Sequence, residues 1–206
     1  MRGDFQFHDR MDAGEQLGDE LIDRGITPDL VLAIPRGGLP LGRAVANALD
    51  CPLDVVVAKK IGAPGNPEYA VGAVASDGSY WRNEQAIVDD EYFEREKRRK
   101  TEEARQKAET YRGGEATPSV AGKVVVVVDD GVATGSTIQA CVRVLDAQDP
   151  TELIVAVPVG PADSIAALEA LADTVICLAT PPAFGSVGQH YTKFDQVSDE
   201  QAMRYL

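Results

Sequence analysis

The stretch that most constrains this chain is VVVVVDDGVATGST, residues 124–137. An unbroken run of β-branched side chains reads as a strand buried on both faces, as the central strands of a parallel sheet are. Two adjacent acids, Asp129 and Asp130, close the run. After them come a glycine- and hydroxyl-rich turn and then the apolar helix pattern Ile138, Ala140, Cys141, Val144 and Leu145. Carboxylates at the carboxyl end of a buried strand stand on the usual ligand edge of an α/β sheet. The free N–H groups and positive dipole end of the helix that opens behind them form a cradle for phosphate. Ionised carboxylates only accept hydrogen bonds, so Asp129 and Asp130 suit a sugar diol or, through water, a cation. A phosphate cradle beside a diol site implies a phosphorylated sugar. An ordinary strand–loop–helix junction with capping aspartates would explain the Gly and Thr residues, but not two consecutive acids at a buried strand end. A P-loop is excluded, because residues 131–135 lack its spacing and its lysine.

The rest of the chain alternates in the same way. Met11, Leu17, Leu21 and Ile22 give residues 9–24 one apolar helical face, closed by Gly25. Residues 30–34 read as a buried strand, stopped by Pro35-Arg36-Gly37-Gly38, and residues 39–49 as a helix. A strand at 53–58, a Gly/Pro loop at 62–67 and an apolar segment at 70–75 follow. Beyond the central strand come a strand at 153–158, a helix at 162–172 and a strand at 174–178. Ser198 and Gln201 are spaced as a capping box for a last helix, 199–206. This predicts one α/β domain over residues 1–206, a doubly wound, mainly parallel sheet flanked by helices. A dinucleotide-binding domain is disfavoured, since no G-x-G-x-x-G follows the first strand.

Composition narrows the partners. The chain carries 33 acidic and 20 basic residues, a formal charge of -13. Phosphate backbones need a basic surface, so nucleic acid is not an expected partner. Such an acidic, lysine-poor surface also suits a high-salt cytoplasm, where self-repulsion is screened. The start, Met1-Arg2-Gly3-Asp4-Phe5, has no apolar signal core, and no apolar run approaches the roughly 18 residues of a membrane helix. Arg2-Gly3-Asp4 spells an adhesion tripeptide that chance explains in a leaderless chain. A cytoplasmic location without membrane attachment is expected. Cys51, Cys141 and Cys177 read as buried free thiols. With two histidines in the chain, a divalent ion would have to use oxygen ligands.

The run Asp129-Asp130-Gly131-Val132-Ala133-Thr134-Gly135-Ser136-Thr137 closely resembles the binding signature for 5-phosphoribosyl 1-pyrophosphate (PRPP) of the type I phosphoribosyltransferases. The resemblance implies that Asp129 and Asp130 bind the ribose hydroxyls and touch Mg²⁺ only indirectly, through PRPP or water. It also implies that residues 133–137 hold the 5′-phosphate. Gly131 stands where the family usually has an aliphatic residue or serine. Ile34-Pro35-Arg36-Gly37-Gly38 is similar to the family's pyrophosphate loop, whose glycines permit close approach to the leaving group. Lys59 and Lys60 end the next strand, where family members carry basic residues facing pyrophosphate; solvated strand-end lysines are the plainer alternative. From Ala33 through Asn66-Pro67-Glu68 to the C-terminal tract the chain resembles uncharacterised prokaryotic members of the family. The implied reaction displaces pyrophosphate from PRPP by a nitrogen nucleophile, a small nitrogenous acceptor such as a nucleobase. Asp129 and Asp130 would orient the ribose, and Lys60 and Arg36 would support the leaving group. The alternative is a non-catalytic regulator that binds PRPP as an effector. A homo-oligomer, a dimer, is expected.

Two segments stay open. Residues 89–112 hold eight acidic and eight basic side chains. They form either a solvated helix laced with pairs such as Glu91–Arg95 and Glu94–Arg98, or the core of a charged lid, 81–118, bringing Arg98, Arg99 or Lys100 over pyrophosphate. Residues 180–206 correspond to the family's acceptor hood, where Phe184, Tyr191 and Phe194 either stack on a base or anchor the segment. The sequence further suggests that Asp130→Asn would impair binding far more than folding. Ala133, third after the acid pair, replaces the Asp of members that use 6-oxopurines.

Overall fold

The computed structural model describes residues 7–206, and the opening residues with their Arg-Gly-Asp tripeptide lie outside that range. In chain order the elements are α1 (Arg10–Asp23), β1 (Leu30–Ala33), α2 (Gly38–Leu49), β2 (Leu53–Val55), β3 (Ala58–Ala63), β4 (Asn66–Ala75), β5 (Tyr80–Arg82) and α3 (Asp90–Arg112). They continue as β6 (Val124–Val128), α4 (Ser136–Asp146), β7 (Glu152–Val159), α5 (Ala162–Glu169), β8 (Thr174–Ala179), a 3₁₀ turn (Val187–His190) and α6 (Asp199–Met203). The five valines of β6 lie at the centre of a five-stranded parallel sheet of order β2-β1-β6-β7-β8. Val125 to Val128 are fully buried there.

Burial on both sides follows from strand alternation. Leu30, Leu32, Val125, Val127, Leu153 and Val155 join a core with Ile138 and Leu145 of α4 and Leu168 of α5. Val31, Ala33, Val126, Val128, Ile154 and Ala156 join the opposite core with Leu17 and Leu21 of α1 and Leu41 and Val45 of α2. Each buried valine or leucine is worth roughly 1.5–3 kcal/mol, so this paired packing commits the chain to helices on both faces, as the sequence predicts. Among the described residues no helix is long and apolar enough to cross a membrane. The terminal capping box forms as expected, with Ser198 and Gln201 bonded reciprocally.

Four sequence expectations need correction. The strand expected at 53–58 is two strands, because the backbone leaves the main sheet after the Val56 amide bonds Ala33 O. Val56 and Val57 carry it into a second, antiparallel sheet of order β3-β4-β5. The Gly/Pro loop at 62–67 is therefore a hairpin, with β4 beginning at Asn66, and Lys59 and Lys60 lie inside β3 rather than at a strand end. This small sheet packs on α4: Ala58, Ala73 and Ala75 share the α4 core, and Trp81 stacks on Arg143 at 4.0 Å. Finally, Cys141 is buried but Cys51 and Cys177 are only half-buried, and all three thiols are free.

Helix α3 packs on the small sheet through Phe93, which joins Ile61, Val71 and Val74, while Ala104 and Ala108 bury against Val57 and Tyr111 enters the core beneath α1 and α2. Its pairs are Lys97–Glu94, Arg99–Glu96, Arg99–Glu103, Lys100–Glu103 and Arg105–Glu102, rather than the two expected. The end of α3 is fastened to the main sheet by Arg112. Its Nε lies 3.0 and 3.1 Å from the Asp54 oxygens, and its terminal nitrogens donate to Val55 O and Thr117 Oγ1. Only 7% of the Arg112 side chain is exposed, so its loss would strand the Asp54 charge. Arg112→Met is expected to cost on the order of 3 kcal/mol, read as a lower urea midpoint at unchanged slope. A shift below a few tenths of that would show that α3 is held elsewhere.

Candidate active site

Strands β1 and β6 are neighbours, yet the helices that follow them leave for opposite faces, α2 into one core and α4 into the other. The loops diverge at this switch point and open a crevice at the carboxyl edge of the sheet. Asp129 and Asp130 stand on its β6 side and Pro35–Gly38 on its β1 side, so the structure brings these predicted residues together. The packing is tight. A Cβ on Gly37 would fall 2.0 Å from Asp130 Oδ2, and one on Gly38 would fall 3.0 Å from Val128 O. Glycine at both positions lets the loop abut the acid pair. The Pro35–Arg36 peptide is cis.

The turn from Asp130 into α4 is shaped by its surroundings. Gly131 has φ +153°, and a Cβ there would meet Val187 Cγ1 at 2.6 Å. That contact with the 3₁₀ turn leaves no room for a side chain at this position. The Val132 amide bonds Val159 O, and Ser164 Oγ donates to Ala133 O at 2.6 Å. Gly135 enters α4 with φ +73° and gives no side-chain cap to the helix. The first amides of α4, with Thr134, Ser136 and Thr137 exposed around them, thus remain available to an anion.

The two acids are not equivalent. Asp129 Oδ1 accepts the Asp130 amide at 2.9 Å. Burial first, and then the neighbouring Asp130 charge, push the Asp129 carboxyl well above the usual range. Burial also raises Asp130, but Arg10 at the start of α1 opposes the shift. Arg10 Nε lies 2.8 Å from Asp130 Oδ2, with side chains 11% and 15% exposed. Sequence reading missed Arg10, because nothing in a helix N-terminus signals a partner 120 residues away. Arg10 also bonds Asp195 O and lies 3.9 Å above the Phe194 ring. Asp130→Asn would leave this guanidinium poorly neutralised, so it is not the fold-neutral probe the sequence suggests. Phe194 is covered by Arg10 and by Tyr191 at 4.9 Å, while Phe184 stacks on His190. Buried Tyr191 donates to Asp130 O at 2.6 Å. Tyr191 and Phe194 thus fasten the C-terminal segment to the site.

Two adjoining clefts flank the Pro35 loop. One, of about 350 Å³, is lined by Pro35, Lys59, Lys60, Lys107, Ser136 and Thr137 among others. The other, of about 460 Å³, includes Arg10, Arg36, Gly37, Lys107, Asp130 and Phe194. Lys60 reaches the first cleft but is paired with Glu68 of the hairpin at 3.1 Å. Arg98, Arg99 and Lys100 line neither; Arg99 and Lys100 are held by glutamates of their own helix. The cation that α3 contributes is Lys107, which the sequence reading passed over. No group of three or more metal-binding side chains occurs among the described residues. The arrangement can bind a phosphate at α4, a diol at the acids and further anionic groups at the loop and lysines.

Residues 6–191 match the family model described as phosphoribosyl transferase domain. Two Mycobacterium tuberculosis proteins, from strains CDC 1551 and H37Rv and provisionally named phosphoribosyl transferases, are each 39% identical over 204 residues. The alignment covers 97% of this chain but 46% of those proteins, so the chain spans about half the length of the curated relatives it matches. The crystal structure of TT1426 from Thermus thermophilus superposes with a TM-score of 0.92 at 39% identity, covering 97% of both chains.

A carboxyl raised on folding is protonated in the native state at pH values where the unfolded chain has released its proton. The stability Asp129 contributes is therefore present at acid pH and lost as pH rises through its raised value. Asp129→Asn keeps an oxygen for the Asp130 amide and removes that loss. The ligand-free variant should melt above the parent at pH 7.5, with the gap closing towards pH 4. A variant less stable at pH 7.5 would show that the carboxylate is favourably held in the protein.

Proposed function

The chain belongs to the phosphoribosyl transferase domain family, and from that premise we propose that it binds PRPP and transfers its phosphoribosyl group to a nitrogen nucleophile. The observation that carries this reading is the acid pair at the β1/β6 switch point, set between an uncapped helix N-terminus and the Gly37–Gly38 loop. Residues 133–137 take the 5′-phosphate, Asp129 and Asp130 the ribose hydroxyls, and the 35–38 loop with its neighbouring cations the pyrophosphate. Asp130 keeps Oδ1 for the diol while Oδ2 holds Arg10.

The nucleophile's lone pair forms the new bond to C1 as the C1–O bond breaks, and the electron pair leaves with pyrophosphate. The nucleophile's proton passes to solvent or a base. The protein's share is orientation of the ring and stabilisation of moving charge. Magnesium fits as an ion carried by the substrate: two carboxylates, one committed to Arg10 and one raised by burial, make a poor direct cage, whereas Mg²⁺ commonly rests on substrate phosphates and water. Bound there, it supplies neutralisation of the leaving diphosphate.

Calorimetric titration with Mg²⁺–PRPP and a nucleobase panel test this. Asp129→Asn should weaken PRPP binding about tenfold or more, the worth of a lost charge-assisted contact, without lowering the melting temperature. Unchanged affinity and turnover would remove the diol assignment. Within the panel, hypoxanthine and guanine should be poor acceptors. Ala133 offers no proton-transfer group there, a loss that typically costs about 10²–10⁴ in rate. Efficient turnover of either would refute the argument from Ala133.

A further inference from the structure

Resting on the PRPP reading above, we propose that Lys107 of α3 grips the diphosphate end of the ligand, completing a cationic cluster with Arg36 and Lys59. Besides Pro35, Lys107 is the residue that lines both clefts; Lys59 lines only the first and Arg36 only the second. A ligand reaching from the α4 N-terminus to Asp130 must pass it. The monophosphate end has the amides of α4, so the more highly charged end is the one that needs cations beside the 35–38 loop.

Charge pairing among the cations of the two clefts singles out the same three residues. Among the described residues, Arg36, Lys59 and Lys107 have no ion pair, whereas Lys60 is paired with Glu68 and Arg10 with Asp130. On α3 itself Lys97, Arg99, Lys100, Arg105 and Arg112 have acidic partners, and Arg95 and Arg98, which have none among the described residues, line neither cleft. In a chain of net charge -13 there is no shortage of carboxylates to pair with. Asp199 acts favourably on Lys107, but it accepts the Tyr111 hydroxyl. Burial, then Lys59, and also Arg36 push Lys107 below its ordinary value. Such mutual repulsion disfavours the protein alone and is relieved by a polyanion.

The lysine is also fixed in place. Ala104 and Ala108 on its helix are buried against Val57. One turn later Tyr111 bonds Asp199, and Arg112 grips Asp54 and Val55 O. The ammonium is thus presented from an anchored helical turn.

Lys107→Met keeps the aliphatic stem and removes the charge, and Lys107→Arg restores a cation. Titrations with Mg²⁺–PRPP, inorganic pyrophosphate and ribose 5-phosphate should show at least about a tenfold loss for the first two in the Met variant. Ribose 5-phosphate affinity should change little, the Arg variant should recover most of the loss, and the Met variant should melt no lower than the parent. Parent-like pyrophosphate and PRPP binding by Lys107→Met would overturn the proposal. So would a lowered melting temperature with equal losses for all three ligands, which marks a packing role. A parent protein that binds pyrophosphate but not PRPP would sink the functional reading alone, and the pyrophosphate arm would still decide Lys107. A parent that binds neither would overturn both.

Discussion

Two parallel strands, β1 and β6, lie side by side and send their chains to opposite faces of the sheet, and the rest of the structure follows from that divergence. Buried apolar faces on both sides of the strands enforce it, because α2 and α4 each have a core of their own to fill. The loops cannot close over the strand ends, so backbone amides, two carboxylates and two glycines are left facing one crevice. Geometry there is set by packing. A single methyl on Gly37 would collide with the Asp130 carboxylate, so loop and acid must keep their spacing together.

Charge within the crevice is arranged against the protein's own interest. Asp129 is buried beside another carboxylate, and Lys107 is half-buried facing Lys59 and Arg36. Among the described residues no ion pair joins Asp129 to a cation, and Arg10 and Lys107 offset its raised carboxyl only in part. Arg10 ties down Asp130 and relieves part of its burial. A site that leaves buried acids and clustered cations only partly compensated is costly in the free protein and well matched to a ligand with a neutral diol at one point and several negative charges at another.

The parallel sheet and its acid pair were legible because each rests on short-range pattern: a β-branched run, a Gly/Thr turn and helical spacing, all within residues 124–145. What the sequence did not disclose is long-range or geometric. Val56 and Val57 look like any strand interior, yet there the chain changes sheets, which moves Lys59 and Lys60 into a hairpin. Arg10 and Lys107 are ordinary helical cations until folding brings one beside Asp130 and the other between two clefts. Arg98 and Lys100 drew attention as part of a dense run, but density on a helix mostly means local pairing, and Lys100 is indeed held by Glu103.

The contacts of the Asp130–Gly131 turn with the C-terminal segment have a consequence for how the site comes apart. The Tyr191 hydroxyl reaches back 61 residues to the Asp130 carbonyl, and Val187 fills the space beside Gly131. Neither contact belongs to the strand ladder, but Tyr191 and Ala202 are buried in the core beneath α1 and α2, so undocking the segment would open part of that core while the strands stay paired. Such a partial opening costs the burial of that stretch and still less than global unfolding. The ligand-binding turn is therefore only as ordered as that stretch is seated, and hydrogen exchange at its amides should report tail docking while β6 stays protected.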